Sequence, residues 1–462
     1  MSVFIDRNRE LDLLHKRYNS RKAEFLILYG RRRVGKSELI ENFLSKSGIF
    51  GLRLLAREES KKYQLSRFTG KIAEFFSDPV LENVTFTDWD GFFEYLTKVS
   101  SKKRITIALD EIPYLIKEDK SLPSILQDFW DNKLSKTKIF LIVCGSSIRM
   151  MEAIQEYGSP LFGRRTGQVL LKQFRFIDVF HYIKNIQSAV EHYCVFGGTP
   201  AYIMEIDVKK NVIDNINETI FRSDSYLFRD IEFVLRQELV EPRYYFSILL
   251  SISKGNHKIG LICNETGLSK SIVNKYLSVL MDLQLVHREV PVTEDFRSRK
   301  GLYYLDDRLF DFWFKFVYPN IELIENEKTA QLLDYLRGSQ LSEYIGRHFE
   351  RIIIEIIPEL FGNKYPKVGR WWEKGEEIDV VALNENSHQI LFCECKWSSN
   401  IDPKKLVKKL LEKSKSVKWH NTDRKVSLVV FAKSFKKRIT EHEETSVYCY
   451  DLKDLQKVLT NR

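Results

Sequence analysis

Three short, nearly unbroken apolar runs mark the first third of the chain: Phe25–Tyr29, Ile105–Leu109 and Ile139–Cys144. Runs of this length without polar alternation are the pattern of strands buried on both faces of a parallel sheet. Each ends in a different polar signal. The first passes into Gly30-Arg31-Arg32-Arg33-Val34-Gly35-Lys36-Ser37 and then the helix-like Glu-Leu-Ile-Glu-Asn-Phe-Leu, the second into Asp110-Glu111, and the third into Gly145-Ser146-Ser147. A further strand is expected at Val169–Leu171. From about Glu241 the spacing becomes helical. An apolar stripe runs from Tyr244 to Ile252, a second helix from Ile259 closes at Gly267, and a third follows Ser269 with apolar positions 272, 273, 276, 277, 280 and 283. Val286–Val292 and Leu302–Leu305 read as the strands of a wing. Beyond a stretch dense in aromatics, Phe310 to Tyr318, two alternating strands around Glu376–Ala382 and Ile390–Trp397 flank the polar turn Asn384–Ser387.

Strand, glycine loop and helix in that order give the first signal a mechanism. The glycines let the backbone curl so that successive N–H groups of Gly30 to Ser37 point at phosphate oxygens, and the helix N-terminus adds partial positive charge. Lys36 is expected to neutralise the β- and γ-phosphates of ATP, and the Ser37 hydroxyl to ligate Mg²⁺. An acid at the carboxyl end of a parallel strand stands beside such a loop. Asp110 is therefore expected to hold the Mg²⁺ and Glu111 to polarise the attacking water as general base. Ser146 and Ser147 either sense the γ-phosphate or cap the next helix. Arg164 and Arg165 are candidates to stabilise the transferring phosphoryl group, in cis or from a neighbouring subunit, which admits a homo-oligomer.

In the C-terminal hairpin, period-2 alternation puts Glu394 and Lys396 on one face and Cys393 and Cys395 on the other. Asp379 on the partner strand reaches the face of Glu394. Two carboxylates and a lysine at one edge can bind Mg²⁺ and activate a water for phosphodiester cleavage, with Asp379 and Glu394 as metal ligands. Cys393-x-Cys395 is a poor zinc half-site, because no second pair stands nearby. The middle segment resembles a winged helix-turn-helix, whose second helix can enter the major groove of DNA. Ser269, Lys270, Asn274 and Lys275 are its exposed candidates, better suited to phosphate contacts than to dense base readout. The other reading is a module that only packs or carries protein contacts.

Together the N-terminal motifs resemble the archaeal ATPase family of AAA+/STAND-like P-loop proteins. The resemblance rests on Phe4-x-Asp6-Arg7-x-x-Glu10-Leu11, on Leu109-Asp110-Glu111-Ile-Pro-Tyr, on Gly145-Ser-Ser, on Pro160-Leu-Phe-Gly-Arg164-Arg165-Thr and on Phe196-Gly-Gly-Thr-Pro200. It implies a sheet with the phosphate-loop strand central, a helical lid, and Arg7 in a box beside the adenine. The usual sensor position offers serine rather than asparagine, and no second sensor arginine is evident. The C-terminal part is similar to the PD-(D/E)XK nuclease superfamily; that likeness maps Asp379, Glu394 and Lys396 onto the catalytic metal site and Glu350 onto the helix acid. The expected fold class is α/β throughout. It comprises a P-loop ATPase core with helical lid (1–235), a winged helix-turn-helix (236–310), a helical linker (311–340) and a restriction-endonuclease-like α/β domain (341–462).

Composition sharpens the choice of partner. At 462 residues the chain is too long for one core. No apolar run approaches the roughly 20 residues that a membrane span needs. The six cysteines are scattered without a disulfide or zinc framework, which suits reduced thiols in the cytoplasm. The net charge is +10, and the stretch 397–438 alone holds 13 Lys or Arg against 3 Asp or Glu. A localised basic surface of this kind points to a polyanion, with DNA the first candidate. The expected function is ATP binding and hydrolysis coupled to DNA binding or Mg²⁺-dependent DNA cleavage. The alternative is a STAND-type regulatory NTP switch whose distal domains only bind protein or nucleic acid.

Overall fold

Among residues 7–172 the apolar runs become five parallel strands: β1 (Glu24–Tyr29), β2 (Gly51–Leu55), β3 (Ile105–Asp110), β4 (Ile139–Gly145) and β5 (Gly167–Leu170). They are seen in a computed structural model of the chain that describes residues 7–46, 48–239 and 241–461. Their order is β2-β3-β4-β1-β5, with every pairing parallel. β1 is interior, flanked by β4 and β5, while β4 rather than the phosphate-loop strand lies at the middle of the sheet. Alternate residues of each run serve opposite faces. Phe25, Ile27, Ile107, Leu109, Leu141 and Val143 join the core under helices Lys61–Phe76 and Trp89–Lys102. Leu26, Leu28, Ala108, Ile142 and Cys144 join the other core with Leu39, Ile40 and Phe43 of helix Lys36–Leu44. Burial on both sides is why these strands carry no polar alternates. Each Val, Leu, Ile or Phe among them contributes about 1.5–3 kcal/mol on leaving water. Parallel pairing brings the carboxyl ends of β1, β3 and β4 to one edge, where Tyr29 pairs with Gly145 and Leu109 with Val143.

The chain divides into two compact units, Met1–Lys172 and Gln173–Arg462. The helices of 173–235, expected as a lid on the ATPase core, group with the second unit. There the Trp313 indole donates to the Phe228 carbonyl at 2.7 Å, and the Tyr193 hydroxyl lies 3.2 Å from both Glu355 oxygens. Helices Pro242–Ser253, Ile259–Thr266 and Lys270–Asp282 and the antiparallel pair β6 (Val286–Glu289) and β7 (Leu302–Leu305) form the winged helix. Ser269 caps the third helix by accepting from the Ile272 N–H. The aromatics of 310–318 are core: Phe310, Phe312, Trp313, Phe314 and Phe316 are buried.

The C-terminal sheet comprises β8 (Lys367–Glu373), β9 (Glu376–Asn384), β10 (Gln389–Lys396), β11 (Lys425–Ala432), β12 (Glu441–His442) and β13 (Thr445–Tyr450), in the order β12-β13-β11-β10-β9-β8. β8, β9 and β10 form an antiparallel meander, and β11 pairs in parallel with both β10 and β13. Helix Pro403–Ser414 covers one face through Val407 and Leu410, which meet Val381, Phe392 and Leu428. The long helix Leu341–Phe361 packs on β8, β9 and β10, with Phe349 5.1 Å from the Trp397 ring.

Candidate functional site

The loop Gly30 to Ser37 leaves β1 under tight steric control. A Cβ on Gly30 would stand 2.3 Å from the Leu171 carbonyl oxygen, so only glycine lets the backbone pass. Gly35, at φ 86°, turns the chain in the left-handed region into helix Lys36–Leu44. The buried Lys36 ammonium donates to the Gly30 and Arg31 carbonyls, both at 2.9 Å. Arg7 staples the loop from outside: its guanidinium donates to the carbonyls of Val34 (2.9 Å) and Lys172 (2.7 Å). Phe4 and Asp6 of the same N-terminal box lie outside the described residues. Arg31, Arg32 and Arg33 follow Gly30 in the loop, and the Arg32 guanidinium lies 3.5 Å from the Tyr114 hydroxyl.

Opposite the loop, Asp110 is fully buried and accepts three bonds: from the Ser37 hydroxyl at 2.8 Å, the Arg53 guanidinium at 2.6 Å and the Glu111 N–H at 3.0 Å. A hydroxyl and a carboxylate 2.8 Å apart form a hard oxygen donor pair, and it fits Mg²⁺. Glu111 holds a left-handed backbone (φ 56°), unusual for a non-glycine residue. Its Oε2 accepts from Ser146, both N–H (3.2 Å) and Oγ (2.8 Å). Ser146 is therefore tied to the acid, and Ser147, which leads into helix Ile148–Ala153, makes no capping bond with its side chain. Arg164 is engaged as well. Its guanidinium grips Asp131 through Nε (3.0 and 2.9 Å) and Nη2 (2.7 Å), so a role at a phosphate requires that pair to open. Arg165 acts on Tyr29 at the end of β1 through its charge, which opposes the effect of burial on the phenol.

The hairpin of the second unit gathers Asp379, Glu394 and Lys396 as the alternation requires. The Lys396 ammonium lies 2.7 Å from Glu394 and 3.7 Å from Asp379. Asp379 also accepts from the Cys395 N–H at 2.8 Å, and Lys413 of helix Pro403–Ser414 approaches Glu394 at 3.5 Å. Both carboxylates are only 7 % exposed, so their charges act through poorly screened surroundings. Burial, reinforced by Glu394, pushes the Asp379 pKa up. Burial lowers the Lys396 pKa, but Asp379 and Glu394 outweigh it and hold the lysine charged. Glu350, on the long helix, is pushed up to about 8 by burial and by Asp379, although Arg370 lies 3.5 Å away. Two carboxylates clustered with a cation also make a donor set suited to a hard divalent ion. The thiols of Cys393 and Cys395 are buried, and burial raises their pKa values well above that of an ordinary thiol.

Arg53, Lys413 and Arg370 were not singled out in the sequence. Only Arg53 left a signal, as a lone charge inside the apolar strand Gly-Leu-Arg-Leu-Leu.

A parallel sheet with this strand order, a glycine loop running from β1 into a helix and an acid at the end of β3, on the far side of β4, define a P-loop ATPase. Residues 4–206 match an ATPase domain predominantly from Archaea. Residues 247–288 match the arsR family of bacterial regulatory proteins, and residues 313–426 a family described as archaea bacterial proteins of unknown function. Uncharacterized protein MJECL04 of Methanocaldococcus jannaschii is 34% identical over 463 residues, covering 98% of this chain and all of that protein. The chain belongs to the same family, that of archaeal ATPases carrying a winged helix and this C-terminal domain, and it is an ATP-hydrolysing enzyme. Uncharacterized ATP-binding protein MJ0423 of the same organism is 49% identical over 47 residues, 10% of this chain and 80% of that one. Among solved structures, the Walker-type ATPase PABY2304 of Pyrococcus abyssi shares the fold with a TM-score of 0.52 at 18% identity, covering 68% of this chain and 96% of that one. Among the described residues no helix is long and apolar enough to cross a membrane.

Proposed function

We propose that ATP turnover drives or times the handling of nucleic acid, with DNA the first candidate, by the winged helix and the C-terminal hairpin. In this reading Lys36 and the N–H groups of Gly30 to Ser37 hold the β- and γ-phosphates. Ser37 and Asp110 hold Mg²⁺, whose charge neutralises the phosphate oxygens. Glu111 accepts the proton of the attacking water, and Arg165 or a released Arg164 stabilises the transferring group, in cis or from a second subunit. At the hairpin Asp379 and Glu394 hold a divalent ion while Lys396 orients a water toward a phosphodiester. Glu350, largely protonated near neutrality, is suited to give or share a proton there. The observation that carries the cleavage reading is the convergence of Lys396 on two buried carboxylates at 2.7 and 3.7 Å. Lys404, Lys405, Lys408 and Lys409 are exposed on the neighbouring helix and supply a surface for the phosphate backbone. Six unpaired cysteines fit a reducing compartment, the cytoplasm.

The test compares wild type, Lys36→Ala and Asp379→Ala for ATP hydrolysis and for Mg²⁺-dependent cleavage of single-stranded, duplex and branched DNA. Lys36→Ala is expected to abolish hydrolysis, and Asp379→Ala to abolish cleavage while hydrolysis continues. Cleavage that persists in purified Asp379→Ala removes the catalytic assignment. A second reading, a regulatory NTP switch without nuclease chemistry, is favoured by the way Arg53 occupies Asp110 and Ser146 holds Glu111. Slow hydrolysis, tight retention of ADP and no cleavage by wild type would select it.

A further inference from the structure

Between the winged helix and the long helix Leu341–Phe361 the second unit holds a half-open cavity of about 380 Å³. We infer that it is a binding site for the terminal phosphate of a single nucleic-acid strand. Lys258, Lys315 and Arg347 line it, and none of the three forms an ion pair among the described residues. Lys315 is half-buried, lying 5.7 Å from the Phe316 ring and 5.9 Å from that of Tyr344. Burial and the Arg347 charge bear on Lys315 more heavily than the acids near it, Asp311 in the same lining and Glu343, so the cations carry a cost that a bound anion offsets. Lys258 also stands directly before helix Ile259–Thr266, whose first turn borders the same cavity through Leu261.

The remaining walls say what kind of anion fits. Tyr304 presents an aromatic wall, backed by the His257 ring at 4.1 Å and the Arg351 guanidinium at 4.4 Å. His348 hydrogen-bonds Asp311 through Nε2 at 2.9 Å, while its buried Nδ1 has no hydrogen-bond partner among the described residues. Glu350, Arg370 and Glu377 also belong to the lining, so the cavity reaches the helix acid next to Asp379. The volume lies at the lower end of the roughly 300–1,000 Å³ usual for ligand sites, enough for one nucleotide and too small for a duplex. A strand end seated here has its phosphate between Lys315, Arg347 and Lys258 and its next linkages running toward the hairpin carboxylates. This assignment of the occupant rests on the nucleic-acid reading above; the cation-lined cavity does not.

The experiment uses the full chain with Lys36→Ala throughout, so that the N-terminal loop takes no phosphate. Fluorescence anisotropy compares short single-stranded DNA bearing a 5′-phosphate, a 3′-phosphate or neither, with adenosine monophosphate as competitor. The double variant Lys315→Ala/Arg347→Ala is set against Lys62→Ala/Lys71→Ala, which removes equal charge from the other unit. Tenfold or greater weakening for the phosphorylated end in the first variant alone, restored in part by Lys315→Arg/Arg347→Lys, is expected. Equal affinity for phosphorylated and unphosphorylated ends, or equal loss in both double variants, overturns the site. Loss of adenosine monophosphate binding without loss of strand binding overturns the strand as occupant and leaves a free nucleotide in its place. Failure of every DNA to bind the parent protein, with adenosine monophosphate still bound through Lys315 and Arg347, is a failure of the nucleic-acid reading and not of the cavity.

Discussion

Replacing Glu350 by Gln is expected to remove a large part of the pH dependence of the second unit's stability. Burial and the nearby Asp379 push the Glu350 carboxyl from 4.5 to about 8, and Arg370 at 3.5 Å does not offset them. Between those two values the folded protein keeps a proton that the unfolded chain has released. Stability therefore falls as pH rises through this window, by about 1.4 kcal/mol per unit and on the order of 4–5 kcal/mol across it. Glutamine cannot ionise and escapes this loss. Near pH 5 Glu350→Gln should match wild type or lie about 1 kcal/mol below it, because the contact with Arg370 weakens. Near pH 9 it should be the more stable by several kcal/mol. Asp379, raised by burial and Glu394, adds a slope of the same sign that survives the substitution. The assay is urea unfolding of both proteins in EDTA at pH 5, 7 and 9, followed by tryptophan fluorescence. A wild-type-to-variant difference that stays constant across the series, or that favours wild type at pH 9, refutes the reasoning.

Gly30→Ala forces a Cβ to 2.3 Å from the Leu171 carbonyl, so the loop must move. A stability loss of about 1–3 kcal/mol and a loss of ATP affinity are expected, and unchanged affinity in a nucleotide titration counts against the proposed loop geometry. Arg53→Met leaves buried Asp110 with hydrogen bonds from Ser37 and Glu111 but no cation; this should cost about 1–3 kcal/mol, part of it recovered on adding Mg²⁺. Denaturation midpoints with and without Mg²⁺ check it, and equal losses in both conditions mean that Asp110 does not meet the ion. Arg164→Ala is expected to lower hydrolysis less than threefold, because Asp131 already holds that guanidinium; a loss of a thousandfold or more restores Arg164 as the phosphate-facing arginine.

How plainly a feature shows in the sequence follows the reach of its interactions along the chain. Buried parallel strands show as unbroken apolar runs, so Phe25–Tyr29 with its glycine loop and Ile105–Leu109 with its acids were visible locally. Alternation along β10 put Glu394 and Lys396 on one face because the strand repeat is two residues. Arg53 was hidden for the opposite reason. Its role appears only when β2 pairs with β3, which sets Arg53 beside Ala108 and its guanidinium on Asp110. Lys413 was hidden among equals, since nothing local separates it from the lysines at 404, 405, 408 and 409. The helices of 173–235 are apolar enough to pack on many surfaces, and composition does not name Phe228 as the partner of Trp313.

The two acidic centres share one physical arrangement. In each, a carboxylate less than a tenth exposed is neutralised by a cation from its own unit: Arg53 for Asp110, Lys396 and Lys413 for Glu394. Burying such a charge alone is costly, so the internal cation lets the centre fold without a metal. The same cation must then yield part of its contact when a divalent ion binds, which weakens affinity for the ion alone. A phosphate that arrives with the ion gives the displaced Arg53 or Lys396 a new anionic partner, and the weakness disappears. On the proposed function, both centres would disfavour a bare metal ion and favour a metal–phosphate pair. Mg²⁺ affinity at either should therefore rise at least tenfold when ATP or a DNA end is present, measured by titration in the Asp379→Asn and Asp110→Asn backgrounds to isolate one centre at a time. Equal affinity with and without the phosphate ligand would show that the internal cations do not guard the carboxylates.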